Sequence, residues 1–177
     1  MSKATRRPAP KAALQTASKP GVKPIPGIAK VTLDERTVIR RNADIEHDRA
    51  VAISDLLQEN SFVPASGIVG PFHLHLAIAE NRLVLDIRDM DGKPLEKIAL
   101  SLAPFRGVVK DYFILCESYY HAVKTTTPTK LESIDMGRRS IHNDGAELLR
   151  ETLSGQVTMD FNTARLLFSL LCVLHIR

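Results

Sequence analysis

The chain of 177 residues contains no tryptophan, only two cysteines, and aromatic residues at 5% of its positions. Cys116 and Cys172 lie far apart, each inside an apolar run with no second cysteine nearby. That spacing excludes a CxxC redox or zinc motif and the disulfide framework of a small secreted domain. Both read as small buried hydrophobes in a reducing compartment. Long apolar runs are also missing: the longest, Leu166 to Ile176, carries Ser169 and His175 and falls short of the ~20 residues a bilayer-spanning helix needs. Residues 1–30 contain no apolar segment of the signal-peptide kind. The expectation is a soluble, cytoplasmic protein. Sequence signatures of common catalytic machinery are absent as well, with no GxGxxG, P-loop, HExxH or GxSxG.

The same first thirty residues lack acid. They hold seven Lys or Arg and half of the ten prolines, leaving seventeen basic against twenty acidic residues beyond, so the overall +4 hides a folded part near −3. With no aromatic residue and few large aliphatics, residues 1–30 cannot bury enough to offset chain entropy. They are read as a disordered, basic, proline-rich tail, and residues 31–177 as a single α+β domain. The tail is a solubilising extension, or alternatively an electrostatic tether to RNA or the ribosome.

Within 31–177, alternation and helical periodicity assign most elements. Ala29 to Asp34 reads as a short strand. Asp44 to Glu59 places Ile45, Ala52, Ile53, Leu56 and Leu57 on one helical face, with Asn42 as cap. Ser61 to Pro71, rich in proline and glycine, reads as a loop. From Phe72 to Leu102, Glu80-Asn81 and Asp91-Gly92 punctuate three alternating runs, which predicts an antiparallel meander. Its register places Leu74, Leu76 and Ile78 opposite Ile87, Leu85 and Leu83, and Leu85 and Leu83 opposite Ile98 and Leu100, filling one face with aliphatics. The other face carries His73, His75, Arg82, Asp86, Arg88 and Lys97 and is expected to be wet.

Ser101 to Val123 has two apolar rows at helical spacing and reads as the central helix, capped by Ser101 with Pro104 in its first turn. A helix after Thr127-Pro128 is expected to break at Asn143-Asp144-Gly145 and stop at Gly155. Gln156 to Met159 reads as a short strand. Asp160 caps the last helix, Phe161 to His175, which is apolar almost all round and therefore buried. The predicted architecture is α+β: a three-stranded antiparallel meander plus one or two short extra strands, packed on one face by four or five helices.

Three clusters carry candidate chemistry. Arg138, Arg139 and His142 lie within about one helical turn, a combination that can hold a phosphate or carboxylate. Arg138 falls in the Leu131–Ile134–Ile141 stripe, where a buried arginine needs an acidic partner, Asp111 or Glu117, or a ligand. His73 and His75 leave one strand on the same side with Asp86 as the nearest acid, the beginnings of a metal site that lacks a fourth ligand; a solvated cross-strand face is the favoured account. Glu46-His47-Asp48-Arg49 packs four charges into one turn, but adjacent helix residues do not face each other, so a solvated first turn is the expected reading. Ser118, beside Glu117 and near His121, is no triad by spacing alone.

The segments DIEHDRAVAISDLLQENSF (44–62), ENRLVLDIRD (80–89), LAPFRGVVKDYFILCESYY (102–120), IDMGRRSIHNDGAELLRE (134–151) and FNTARLLFSLLCVLHIR (161–177) resemble a small alphaproteobacterial family, uncharacterised protein family UPF0262. The resemblance spans nearly all of residues 30–177. It implies no catalytic residue, ligand or cofactor, and the basic tail is longer than is usual for the family.

The leading functional expectation is a non-catalytic binding or adaptor protein that meets an anionic metabolite or a protein partner at Arg138, Arg139 and His142, without a cofactor. The alternatives are a small metal-assisted hydrolase using His73, His75 and Asp86, and an RNA-associated factor working through the tail. The polar sheet face leaves room for a homo-oligomer.

Overall fold

The computed structural model describes residues 27–37, 43–125 and 127–175. The tail through residue 26 and the proposed cap Asn42 lie outside the described residues. Strand β1 (Ile28–Leu33) begins inside the stretch assigned to the tail. Ile28 is fully buried, and Asn60 holds both of its backbone groups: Ile28 N–H donates to Asn60 Oδ1 at 3.0 Å and Asn60 Nδ2 donates to Ile28 C=O at 2.9 Å.

A four-stranded sheet has the order β1-β3-β4-β5. The meander is formed by β3 (Phe72–Ala79), β4 (Arg82–Arg88) and β5 (Pro94–Ser101) in the register expected from alternation. Leu74, Leu76 and Ile78 face Ile87, Leu85 and Leu83, and Leu85 and Leu83 face Ile98 and Leu100. Glu80 and Asn81 both take positive φ, 51° and 59°, as a two-residue turn matched to strand twist demands. The fourth strand, β1, joins β3 in parallel and makes the sheet mixed. The expected loop at 61–71 contains a further strand, β2 (Phe62–Pro64), which pairs antiparallel with β6 (Val157–Met159). Its alternation is only three residues long, and burial of Phe62 against Phe72 is a tertiary event.

The described residues form four α-helices, α1 (Ala43–Gln58), α2 (Arg106–Thr125), α3 (Pro128–Leu153) and α4 (Phe161–Leu174), whose buried side chains share one core with the aliphatic residues of the sheet. Three sequence expectations are corrected here. First, α2 does not start at Ser101. Strand β5 runs through Ser101, and a single 3-10 turn over Ala103–Phe105 intervenes. The Ser101 hydroxyl accepts the Ala103 N–H at 3.2 Å, while Leu102 takes the N-cap position of that turn. Second, α3 does not break at Asn143-Asp144-Gly145; it runs on to Leu153 and ends with Ser154 as C-cap, at the expected stop before Gly155. Gly145 serves close packing: a methyl group built there would come within 2.6 Å of Phe168 Cε1 and nearer still to the rest of the ring edge. Third, α4 rather than α2 is the central helix. It packs against both α1 and α3, and most of its residues, from Thr163 to Leu174, are buried.

Local rules explain how α4 is set. Asp160 accepts the Thr163 N–H at 2.8 Å as a side-chain cap. The fully buried Thr163 hydroxyl in turn accepts Ser61 N–H at 2.9 Å, tying α4 to β2. No helix among the described residues is long and apolar enough to cross a membrane.

Candidate functional site

Because α4 packs on α1 and α3, while α2 packs on α3, α1 and α2 stand on opposite sides of a cleft whose floor is α4. The cleft has a volume of ≈ 840 Å³, within the ~300–1,000 Å³ range of small-molecule sites. One side-chain hydrogen bond spans it, from the Tyr120 hydroxyl on α2 to Asp48 Oδ2 on α1 at 2.8 Å. Asp48 therefore leaves the charged first turn of α1 to bridge two helices. In the same turn, Arg49 pairs with Glu46 at 3.3 Å and with Glu35.

All three residues of the arginine cluster, Arg138, Arg139 and His142, line this cleft. Asp135, on their own helix, accepts from Arg138 Nη2 at 3.0 Å through one oxygen and pairs with Arg139 Nη2 at 3.0 Å through the other. The partner of Arg138 is thus Asp135, not Asp111 or Glu117. The reason is helical spacing: Asp135 stands one turn before both arginines. The Arg138 guanidinium also sits 4.3 Å from the centre of the Tyr119 ring, a cation–π contact. Arg139 is different, with its side chain 72% exposed at the cleft rim.

His142 lies deeper. Its ring is 4.9 Å from that of Tyr112 and 5.7 Å from that of Phe168, and its Nε2 shares a 2.8 Å hydrogen bond with Ser169 Oγ on α4. Burial, reinforced by the nearby charges of Arg165 and Arg138, pushes its pKa down to about 4, so the ring is neutral at pH 7. Burial likewise raises the thiols of Cys116 and Cys172, which line the same cleft as thiols rather than thiolates.

The structure adds residues that periodicity did not single out: Arg106 and Lys110 on α2, and Arg165 and Ser169 on α4. Arg165 had a signal, since it is the one charged residue in Phe161–Leu174. None of Arg106, Lys110 and Arg165 has an ion-pair partner among the described residues. Ser118, by contrast, simply donates to Ile114 C=O within its own helix at 2.9 Å.

On the outer sheet face, His73 and His75 do project together, and Asp86 stands opposite His75 and Lys97. The face is less open than alternation suggested: His73 and Asp86 are both 8% exposed. Both histidines turn to Thr32 on β1, whose hydroxyl lies 2.8 Å from His73 Nε2 and 2.7 Å from His75 Nδ1. One hydroxyl proton can reach only one of the two ring nitrogens, so the other histidine must donate to the hydroxyl oxygen. Asp86 Oδ2 accepts from Arg88 Nε and Nη2 at 2.9 and 2.6 Å, while Asp86 Oδ1 is buried without a hydrogen-bond partner among the described residues. No group of three or more His, Cys, Asp or Glu side chains among the described residues is placed to hold a metal ion.

Comparison with known proteins bears on the whole of this architecture. The sequence profile of the uncharacterised protein family UPF0262 matches residues 26–177. A UPF0262 protein of Paramagnetospirillum magneticum is 51% identical over 150 residues, 85% of this chain and 96% of the relative. One from Rhodospirillum rubrum is 56% identical over 147 residues, 83% of this chain and 91% of the relative. A Rhodopseudomonas palustris relative is 55% identical over 148 residues, covering 84% and 91% of the two chains. No solved structure matches.

Proposed function

For this chain, which belongs to the uncharacterised protein family UPF0262, we propose a binding function: the cleft between α1 and α2 takes up a small organic anion. The observation that carries the reading is an excess of cations over acids in the walls, five against three. Arg106, Lys110, Arg138, Arg139 and Arg165 line the cleft against Asp48, Asp55 and Glu117, although residues 31–177 as a whole are net acidic. An excess of cations in a partly enclosed, low-dielectric cleft raises the local potential for an anion. Arginine forks suit carboxylate and phosphate alike. Asp135 holds Arg138 and Arg139 in place, which reduces the ordering cost of binding.

A neutral His142 paired with Ser169 then contributes hydrogen bonds rather than charge. Among the described residues no acid completes a series with this pair, which favours binding over catalysis. A cytoplasmic setting accords with the two buried thiols.

Isothermal titration of the full chain with small carboxylates and phosphates tests the reading. Binding should weaken at least tenfold in Arg139→Ala and Arg165→Gln, with unfolding midpoints close to wild type. Arg138→Ala should lose both ligand and some stability, because that arginine also packs on Tyr119. Equal binding in all variants would overturn the assignment.

A further inference from the structure

We infer that the ligand is an amphiphile, an organic anion whose carboxylate or phosphate head meets the arginines and whose apolar body lies between α1 and α2. The inference rests on the anion reading above and narrows it. Val51 on α1 and Ile114 on α2 remain 42% and 51% exposed, and both line the cleft. Large aliphatic side chains left open on both helices of one cleft offer a ligand apolar surface to cover. Below them the walls continue apolar through Ala52, Val109, Phe113, Leu166 and Val173. A fully polar anion such as acetate or inorganic phosphate would leave those surfaces wet and most of the ≈ 840 Å³ unfilled.

The head-group end is separately defined. Arg138 from α3 and Arg165 from α4 lie near His142, which pairs with Ser169, and Arg139 stands at the rim. Arg165 has no ion-pair partner among the described residues, and Asp135 already aligns the other two. Charge complementarity therefore selects an anionic end, and the apolar lips select a body of several methylenes or an aryl ring.

The test is titration of the full chain, below micelle-forming concentrations, with acetate, hexanoate, decanoate, decyl phosphate, decanol and inorganic phosphate. Affinity should rise from acetate to decanoate by about fourfold per buried methylene. Ile114→Ser should weaken decanoate several-fold and leave acetate unchanged, whereas Arg165→Gln should weaken every anion. Comparison of decanoate with decyl phosphate identifies the preferred head. If acetate or inorganic phosphate binds as tightly as decanoate, the amphiphile is refuted and the anion site stands. If decanol binds as tightly as decanoate, or if nothing binds, both the amphiphile and the anion reading fall.

Discussion

Replacing Gly145 by alanine sets two effects of opposite sign against each other, and the structure decides between them. In a helix interior the exchange is worth about 1 kcal/mol of stabilisation, because glycine loses more backbone entropy. Against it stands Phe168. The new methyl would approach Phe168 Cε1 to 2.6 Å, where carbon atoms prefer about 3.5–4.0 Å. The ring cannot simply withdraw: it is fully buried and packed edge-on at 6.1 Å from the Tyr112 ring and 5.7 Å from His142. Overpacking of this kind costs about 1–3 kcal/mol, and contact this short belongs at the upper end. The expected outcome is a net loss of about 1–2 kcal/mol, or ~2–4 °C in Tm per kcal/mol for a chain of this size.

Urea unfolding of wild type, Gly145→Ala, Phe168→Leu and the double variant measures it. Phe168→Leu alone destabilises by removing buried ring atoms, but it vacates the space the methyl needs. The double-mutant cycle should then show a favourable coupling of about 1 kcal/mol or more. A neutral or stabilising Gly145→Ala would refute the close approach of α3 and α4, and with it the position of His142 over the cleft floor.

Two further outcomes follow from the polar groups. His142 has its pKa depressed from 6.5 to about 4, so the unfolded chain binds a proton that the folded chain refuses. Stability should fall as pH drops from 6.5 to 4, by an amount on the order of 3 kcal/mol, and chemical denaturation of His142→Gln across that window should show a flatter profile; unchanged slopes would refute the buried neutral ring. On the sheet, Thr32→Val removes the hydroxyl shared by His73 and His75 and should cost about 1–2 kcal/mol in urea unfolding, with Thr32→Ser recovering most of it; equal stability of the two variants would show that water replaces the hydroxyl.

Parts of the structure were legible because they rest on local periodicity. In the meander, a one-residue slip would turn Leu74, Leu76, Leu83, Leu85, Ile98 and Leu100 to solvent, so alternation alone determines the pairing. The side-chain cap at Asp160 and the helix start at Thr127-Pro128, where Thr127 holds the N-cap position without a side-chain hydrogen bond, are set by a few adjacent residues. Glycine was misread for a related reason. A lone glycine in a helix pattern carries the same letter whether it breaks the helix or admits a neighbour, and at position 145 the neighbour, Phe168, lies on another helix.

The candidate site divides along the same line. Spacing brought Arg138, Arg139 and His142 to one helical turn, because residues three and four apart share a helix face. It could not show that Asp135 rather than Asp111 or Glu117 answers Arg138, nor that Arg165 and Ser169 come from α4 to join the group, nor that Tyr120 and Asp48 close the far side. Those contacts depend on which helix packs beside which, and that is decided by the burial of α4 between α1 and α3. The sequence by itself determined most of the elements, the register of the meander and the pair of arginines on α3. Only the tertiary structure decided that α1 and α2 stand apart and leave a cleft, since a cavity belongs to no single element but to the mismatch between packed ones.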